Sequence, residues 1–100
     1  MTDMAEPLDT AALSHALSAM DGWHGDRTGI TRTVELRSFP QAIEFVDRIA
    51  EAAEEMDHHP DIDIRWRKVT LRLVTHSAGG YVTDKDLTLG HRIDAILRDL

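Results

Sequence analysis

The sequence predicts an α+β two-layer sandwich: a four-stranded antiparallel sheet with three helices on one face, in the order α-β-β-α-β-β-α. Three observations predict it. Three segments carry apolar residues at helical spacing, each behind a capping residue. Two pairs of short strand-like segments separate them. The links within each strand pair are too short for anything but antiparallel pairing.

The first helix follows Asp9 and Thr10, with Leu13, Ala16, Leu17 and Met20 as its stripe and Gly22 as its stop. A short strand around Trp23 and a second over Ile30 to Leu36 flank Asp26-Arg27-Thr28-Gly29, which has the composition of a turn. Ile30, Val34 and Leu36 share one face of the second strand, and Arg32 breaks that pattern. Ser38-x-x-Gln41, with Pro40 in the first turn, starts the central helix. Ala42, Val46, Ile49, Ala53 and Met56 form its buried stripe, and Glu44, Asp47, Glu51, Glu54 and Glu55 form its acidic face. Pro60 keeps His59 out of the helix, because the residue before proline is pushed toward extended backbone.

Ile62, Ile64 and Trp66 then alternate with polar residues on even positions, whereas Val69, Leu71 and Leu73 alternate on odd ones. That change of phase predicts two strands with a turn near Arg67-Lys68, and Trp66 reads as a core residue. A Gly79-Gly80 loop follows His76. Thr83-x-x-Asp86 caps the last helix, whose stripe is Leu89, Ile93, Ile96 and Leu100. Residues 1–8 are expected to be a flexible tail and residues 9–100 a single domain.

The bulk properties narrow the function. The chain has 100 residues and a formal charge of −7, which argues against nucleic acid and anionic membrane surfaces as partners. No apolar run is long enough to span a bilayer. Met1 to Pro7 holds Asp3 and Glu6 and has no features of a secretory leader, so a cytoplasmic location is expected. The absence of cysteine removes disulfides, thiolate nucleophiles and thiolate metal sites.

The chemistry gathers around histidine. Glu54-x3-His58-His59-Pro60 is followed by Trp66 and then His76, so three of the six histidines fall within 19 positions. Imidazole is the side chain best suited to giving and taking protons near neutral pH. If the third and fourth strands form a hairpin, the end of the fourth lies beside the start of the third, and His76 returns to His58 and His59. Such a pair at a helix end also serves as simple polar capping. Three imidazoles, with Asp57 or Asp61 as a fourth donor, are also a legitimate zinc or iron set.

The series Glu54-Glu55-Met56-Asp57-His58-His59-Pro60-Asp61, then Trp66, Thr75-His76-Ser77, Gly79-Gly80 and Thr83-Asp84-Lys85-Asp86, resembles the pterin-4a-carbinolamine dehydratases. Gly22-Trp23 and Ser38-Phe39 extend the similarity to roughly residues 10–100. The resemblance implies a lyase that dehydrates 4a-hydroxytetrahydropterin to quinonoid dihydropterin in tetrahydrobiopterin-type cofactor recycling. It implies His58, His59 and His76 as the catalytic residues, and Asp57, Pro60, Thr75, Ser77 and Trp66 as substrate-binding ones. Glu54 and Asp86 are implied as orienting groups. No metal or organic cofactor is implied, and the assembly is expected to be a homodimer or homotetramer. Ile62 stands where many members carry Trp. The alternative is a non-catalytic pterin-binding or dimerisation module that contacts a protein partner.

Overall fold

Each helix begins where a side-chain oxygen satisfies backbone N–H groups that have no partner in the first turn. In the computed structural model, which describes residues 5–100, Asp9 accepts from Ala12 N at 2.7 Å and starts α1 (Thr10–Ser18). Ser38 accepts from Gln41 N at 3.1 Å and starts α2 (Phe39–Met56). The Gln41 amide oxygen reaches back to Arg37 N, one residue before the cap, at 2.8 Å. Thr83 and Asp86 form a complete capping box on α3 (Asp84–Arg98).

The strands are β1 (His24–Asp26), β2 (Gly29–Glu35), β3 (Asp61–Arg65) and β4 (Lys68–Leu73). They form one antiparallel sheet in the order β1-β2-β4-β3, as the predicted fold class requires. Val34, Val69, Ile30, Leu73 and Leu71 point to the face covered by helices and are buried. Thr31, Thr33, Glu35, Lys68 and Arg72 alternate with them on the opposite, polar face. The core closes with Phe45, Ile49 and Ala52 from α2, Leu89 and Ile93 from α3, and Met20 and Trp23 from the α1–β1 link. Phe45, absent from the predicted stripe of α2, is fully buried. Gly90 sits where α3 meets that link: a Cβ there would lie 2.8 Å from Met20 Cε, so the missing side chain permits the contact.

Several details depart from the sequence reading. Residues 1–4 of the expected tail lie outside the described residues. Leu8 is tied down, its N–H donating to Val82 O at 2.9 Å and its carbonyl accepting from Arg27 Nε at 2.8 Å. β1 begins at His24, with Trp23 buried just before it. The β3–β4 turn is Trp66-Arg67, fixed by the pairing of Arg65 with Lys68. Trp66 occupies the left-handed region at φ 57° and is 86% exposed, so it is a hairpin tip and not a core residue. β3 is an edge strand, and its Ile62 and Ile64 are only half covered. Arg32 lies on the helix-covered face opposite Leu71 and meets Asp94 of α3, which accounts for the break in the β2 pattern.

Candidate active site

The end of α2 builds the first part of the site. Asp57 turns into the left-handed conformation at φ 49°, ψ 45°, a geometry that Asp tolerates better than most residues. Asp57 N then donates to Glu54 O and His58 N to Ala53 O, at 3.2 and 3.0 Å. These two bonds are the Schellman pattern, which satisfies the last carbonyls of the helix. The reversal sends the two imidazoles apart. His58 turns inward and is 8% exposed, whereas His59 stays on the surface.

Each ring has a carboxylate. His58 Nε2 lies 2.6 Å from Asp86 Oδ1, and His59 Nε2 lies 2.5 Å from Glu54 Oε2. The two pairs differ in surroundings. Asp86 is completely buried, so its pairing with His58 is shielded from water. Glu54 and His59 are both largely exposed, and their attraction is screened.

Asp86 is held by more than the ring. Its Oδ2 accepts from Thr75 Oγ1 at 2.8 Å and from Thr83 N at 2.9 Å, and the Thr75 and Thr83 hydroxyl oxygens are 2.7 Å apart. One carboxylate therefore caps α3 and anchors the ring at the end of α2. Among the described residues no buried side-chain nitrogen or oxygen lacks a partner.

The third histidine arrives by the hairpin. Asp61 at the start of β3 pairs with Arg72 near the end of β4, which delivers Thr75 and His76 beside the α2 terminus. His76 does not close the strand. The ladder ends at Leu73, and His76 opens a short 3₁₀ turn (His76–Ala78). The reason is local: Thr75 leaves the β4 ladder to bridge Tyr81, with Thr75 N donating to Tyr81 O at 3.1 Å.

Asp57, His58, His59, Thr75, His76 and Ser77 line one cleft of about 220 Å³, together with Val74 and Lys85. Of the predicted site residues, the structure therefore gathers the three histidines, Asp57, Thr75 and Ser77. Glu54 and Asp86 stand behind two of the rings. Pro60 is not part of the wall; it joins His59 to β3. Trp66 is not brought to the site at all. It sits at the opposite end of the β3–β4 hairpin, because the turn falls at Trp66 itself. Sequence reasoning missed Val74, Lys85 and the buried hydroxyl of Thr83. Lys85 had a signal, since it lies in the capping turn next to Asp86. Among the described residues no group of three or more His, Asp or Glu side chains is arranged to hold a metal ion.

Chemically, the cleft offers one buried, carboxylate-anchored imidazole, one exposed imidazole paired to Glu54, and one imidazole on a turn. Such a set suits proton delivery and proton removal at two points of one small molecule.

Comparison with known proteins gives the kinship. Residues 6–96 match the sequence model of a family described as pterin 4 alpha carbinolamine dehydratase. A protein of Nocardia farcinica, named "Putative pterin-4-alpha-carbinolamine dehydratase", is 50% identical over 93 residues, covering 93% of this chain and 97% of its own length. One of Herpetosiphon aurantiacus with the same name is 53% identical over 89 residues, covering 89% and 92%. The crystal structure of a transcriptional coactivator/pterin dehydratase from Brucella melitensis superposes with a TM-score of 0.86 at 34% identity, covering 91% of this chain and 98% of that one. A pterin dehydratase-like RuBisCO assembly factor of the alpha-carboxysome shares the fold at a TM-score of 0.60 and 23% identity, covering 74% and 84%. With a family match that spans nearly the whole chain and relatives at half identity, the chain belongs to the pterin 4 alpha carbinolamine dehydratase family.

Proposed function

We propose that this protein is a hydro-lyase that converts 4a-hydroxytetrahydropterin to quinonoid dihydropterin and water. The observation that carries the reading is the convergence of His58, His59 and His76 on one cleft, with the His58 ring held by the buried carboxylate of Asp86. The reaction breaks the C4a–O bond. The N5 lone pair forms the C4a=N5 bond, an imidazolium gives its proton to the departing hydroxyl, and a neutral imidazole takes the proton from N5. The enzyme returns to its starting state when the two imidazoles exchange a proton. Each positioned acid or base contributes roughly 10²–10⁴-fold. His58 and His76 are the acid–base pair in this reading, and His59, steadied by Glu54, holds and polarises the substrate. Asp57 and Ser77 complete the pterin pocket.

The physiological setting that fits is recycling of a tetrahydrobiopterin-type cofactor in the cytoplasm, by a homodimer or homotetramer. Metal plays no part in this reading. The test is dehydration of chemically prepared 4a-hydroxytetrahydropterin, followed by the absorbance of the quinonoid product. Acceleration over the buffer rate that survives excess chelator supports the reading; the buffer rate alone defeats it. A partner-binding role without catalysis is favoured by one observation, the coactivator half of the Brucella melitensis relative's name. A protein that binds dihydropterin without accelerating the reaction would point to that role.

A further inference from the structure

The family resemblance implies that Thr75 touches substrate, but its hydroxyl is already committed. The residue is 2% exposed. A hydroxyl carries one proton, and that of Thr75 goes to Asp86 Oδ2 at 2.8 Å. The Thr83 hydroxyl, 2.7 Å from Thr75 Oγ1, must therefore be the donor in that contact. Thr83 N donates to the same carboxylate oxygen at 2.9 Å. Both backbone groups of Thr75 are tied as well, its N–H to Tyr81 O and its carbonyl to Ala78 N and Gly80 N. Thr75 has no freedom to turn toward a ligand.

The consequence falls on His58. Asp86 Oδ2 accepts hydrogen bonds from the Thr75 hydroxyl and from Thr83 N, which leaves Oδ1 as an acceptor for the ring. His58 Nε2, 2.6 Å away, must then carry the proton. The other ring nitrogen, Nδ1, has no hydrogen-bond partner among the described residues. Since no buried side-chain nitrogen among the described residues lacks one, Nδ1 is not sealed from the surface, and its ring lines the cleft.

We propose that Thr75 and Thr83 are positioning residues that, through Asp86, lock His58 as the Nε2–H tautomer and so make Nδ1 the atom that exchanges protons with the substrate. The role given to Nδ1 rests on the dehydratase reading; the tautomer does not. A network of this kind turns the start of α3 into a fixture for a ring at the end of α2.

The test uses ¹⁵N-histidine-labelled protein, with the His58 signals identified by comparison with His58→Gln. In the neutral ring the wild type should show a protonated Nε2 and a bare Nδ1. Thr75→Val, which removes the hydroxyl at nearly constant volume, should give a mixture of tautomers. Its kcat should fall by roughly tenfold with KM changed less than about twofold, and Thr75→Ser should restore both. A rise in KM at constant kcat would instead make Thr75 a substrate contact and overturn the proposal. So would a wild-type His58 with its proton on Nδ1, or a Thr75→Val protein whose His58 nitrogen shifts match the wild type. A wild type without dehydratase turnover overturns the functional reading alone, and the nitrogen shifts still decide the tautomer.

Discussion

Arg32 Nη1 donates to Asp94 Oδ1 at 2.7 Å, from the face of β2 that also carries Ile30 and Val34. The same carboxylate oxygen accepts from Trp23 Nε1 at 2.9 Å. Asp94 thus joins the sheet, the α1–β1 link and α3 at one point. An arginine on an apolar face is costly unless its charge is met and its stem is packed. Here both conditions hold, since the pair is mostly shielded and the Arg32 side chain runs past Gly22, where a Cβ would lie 2.8 Å from Arg32 Nε.

Removing the carboxylate should therefore cost more than removing an exposed ion pair. Asp94→Ala leaves the guanidinium and the indole N–H without their acceptor, and a loss of about 2–3 kcal/mol in unfolding free energy is expected. Asp94→Asn keeps an acceptor oxygen and should lose about half of that. Urea denaturation followed by Trp fluorescence measures both. Equal stability of Asp94→Ala and the wild type would show that the shielded pair contributes nothing.

Much of this was legible in the sequence, and the reasons for what was not are physical. Periodicity and capping residues located all three helices, and the change of phase after Trp66 located the last two strands, because those signals are local. The proximity of His76 to His58 followed from hairpin topology alone. What escaped were contacts between residues far apart in sequence. Asp86 pairs with His58 across 28 positions, and the Thr75 hydroxyl reaches it from 11 positions away with no pattern to mark it. Arg32 looked like an error of alternation because its partner sits 62 positions away. Trp66 misled for a different reason. Its place in the alternation is that of a strand residue, and a bulky side chain at positive φ is not what turn chemistry leads one to expect.

The three imidazoles should separate kinetically. His58→Ala and His76→Ala are each expected to cut turnover by at least about tenfold, and up to 10²–10⁴-fold if each supplies a full acid or base. His59→Ala should raise KM more than it lowers kcat, because its ring is proposed to hold the substrate. Steady-state kinetics with synthetic carbinolamine, beside far-ultraviolet circular dichroism to confirm folding, gives the answer. Unchanged turnover in both the His58 and His76 variants would refute their assignment.

Acid should reach the β1–β2 turn through Asp26. Its carboxylate accepts from the Thr28 hydroxyl and the Thr28 N–H, the latter at 2.8 Å. The hydroxyl bond, then the backbone bond, hold the carboxyl below its usual range, and Arg72 adds a smaller pull in the same direction. A carboxyl with a lowered folded-state pKa stabilises the fold above its unfolded pKa, and that contribution fades as pH falls through the folded value. Thr28→Val removes the largest cause. Its unfolding free energy should fall less steeply than the wild type's as pH drops below about 4. Parallel curves for the two proteins would show that the Thr28 hydroxyl does not set the Asp26 titration.

Trp66 is the residue whose replacement should strengthen the chain. At φ 57° it holds a conformation that costs most residues roughly 1–2 kcal/mol. With 86% of its surface exposed, it recovers little of this by burial. A positive φ at a hairpin turn position favours Gly, Asn or Asp there. Gly would relieve the strain but widen the unfolded ensemble by about 0.4–1 kcal/mol. Asn tolerates the left-handed region without that entropic loss. Trp66→Asn is therefore expected to raise stability by about 0.5–1 kcal/mol, with Trp66→Gly near neutral. Thermal unfolding at several protein concentrations measures both and separates a change within the protomer from a change in self-association. A concentration-independent loss of stability in Trp66→Asn would mean that the indole packs on its neighbours in the hairpin strongly enough to outweigh the strain.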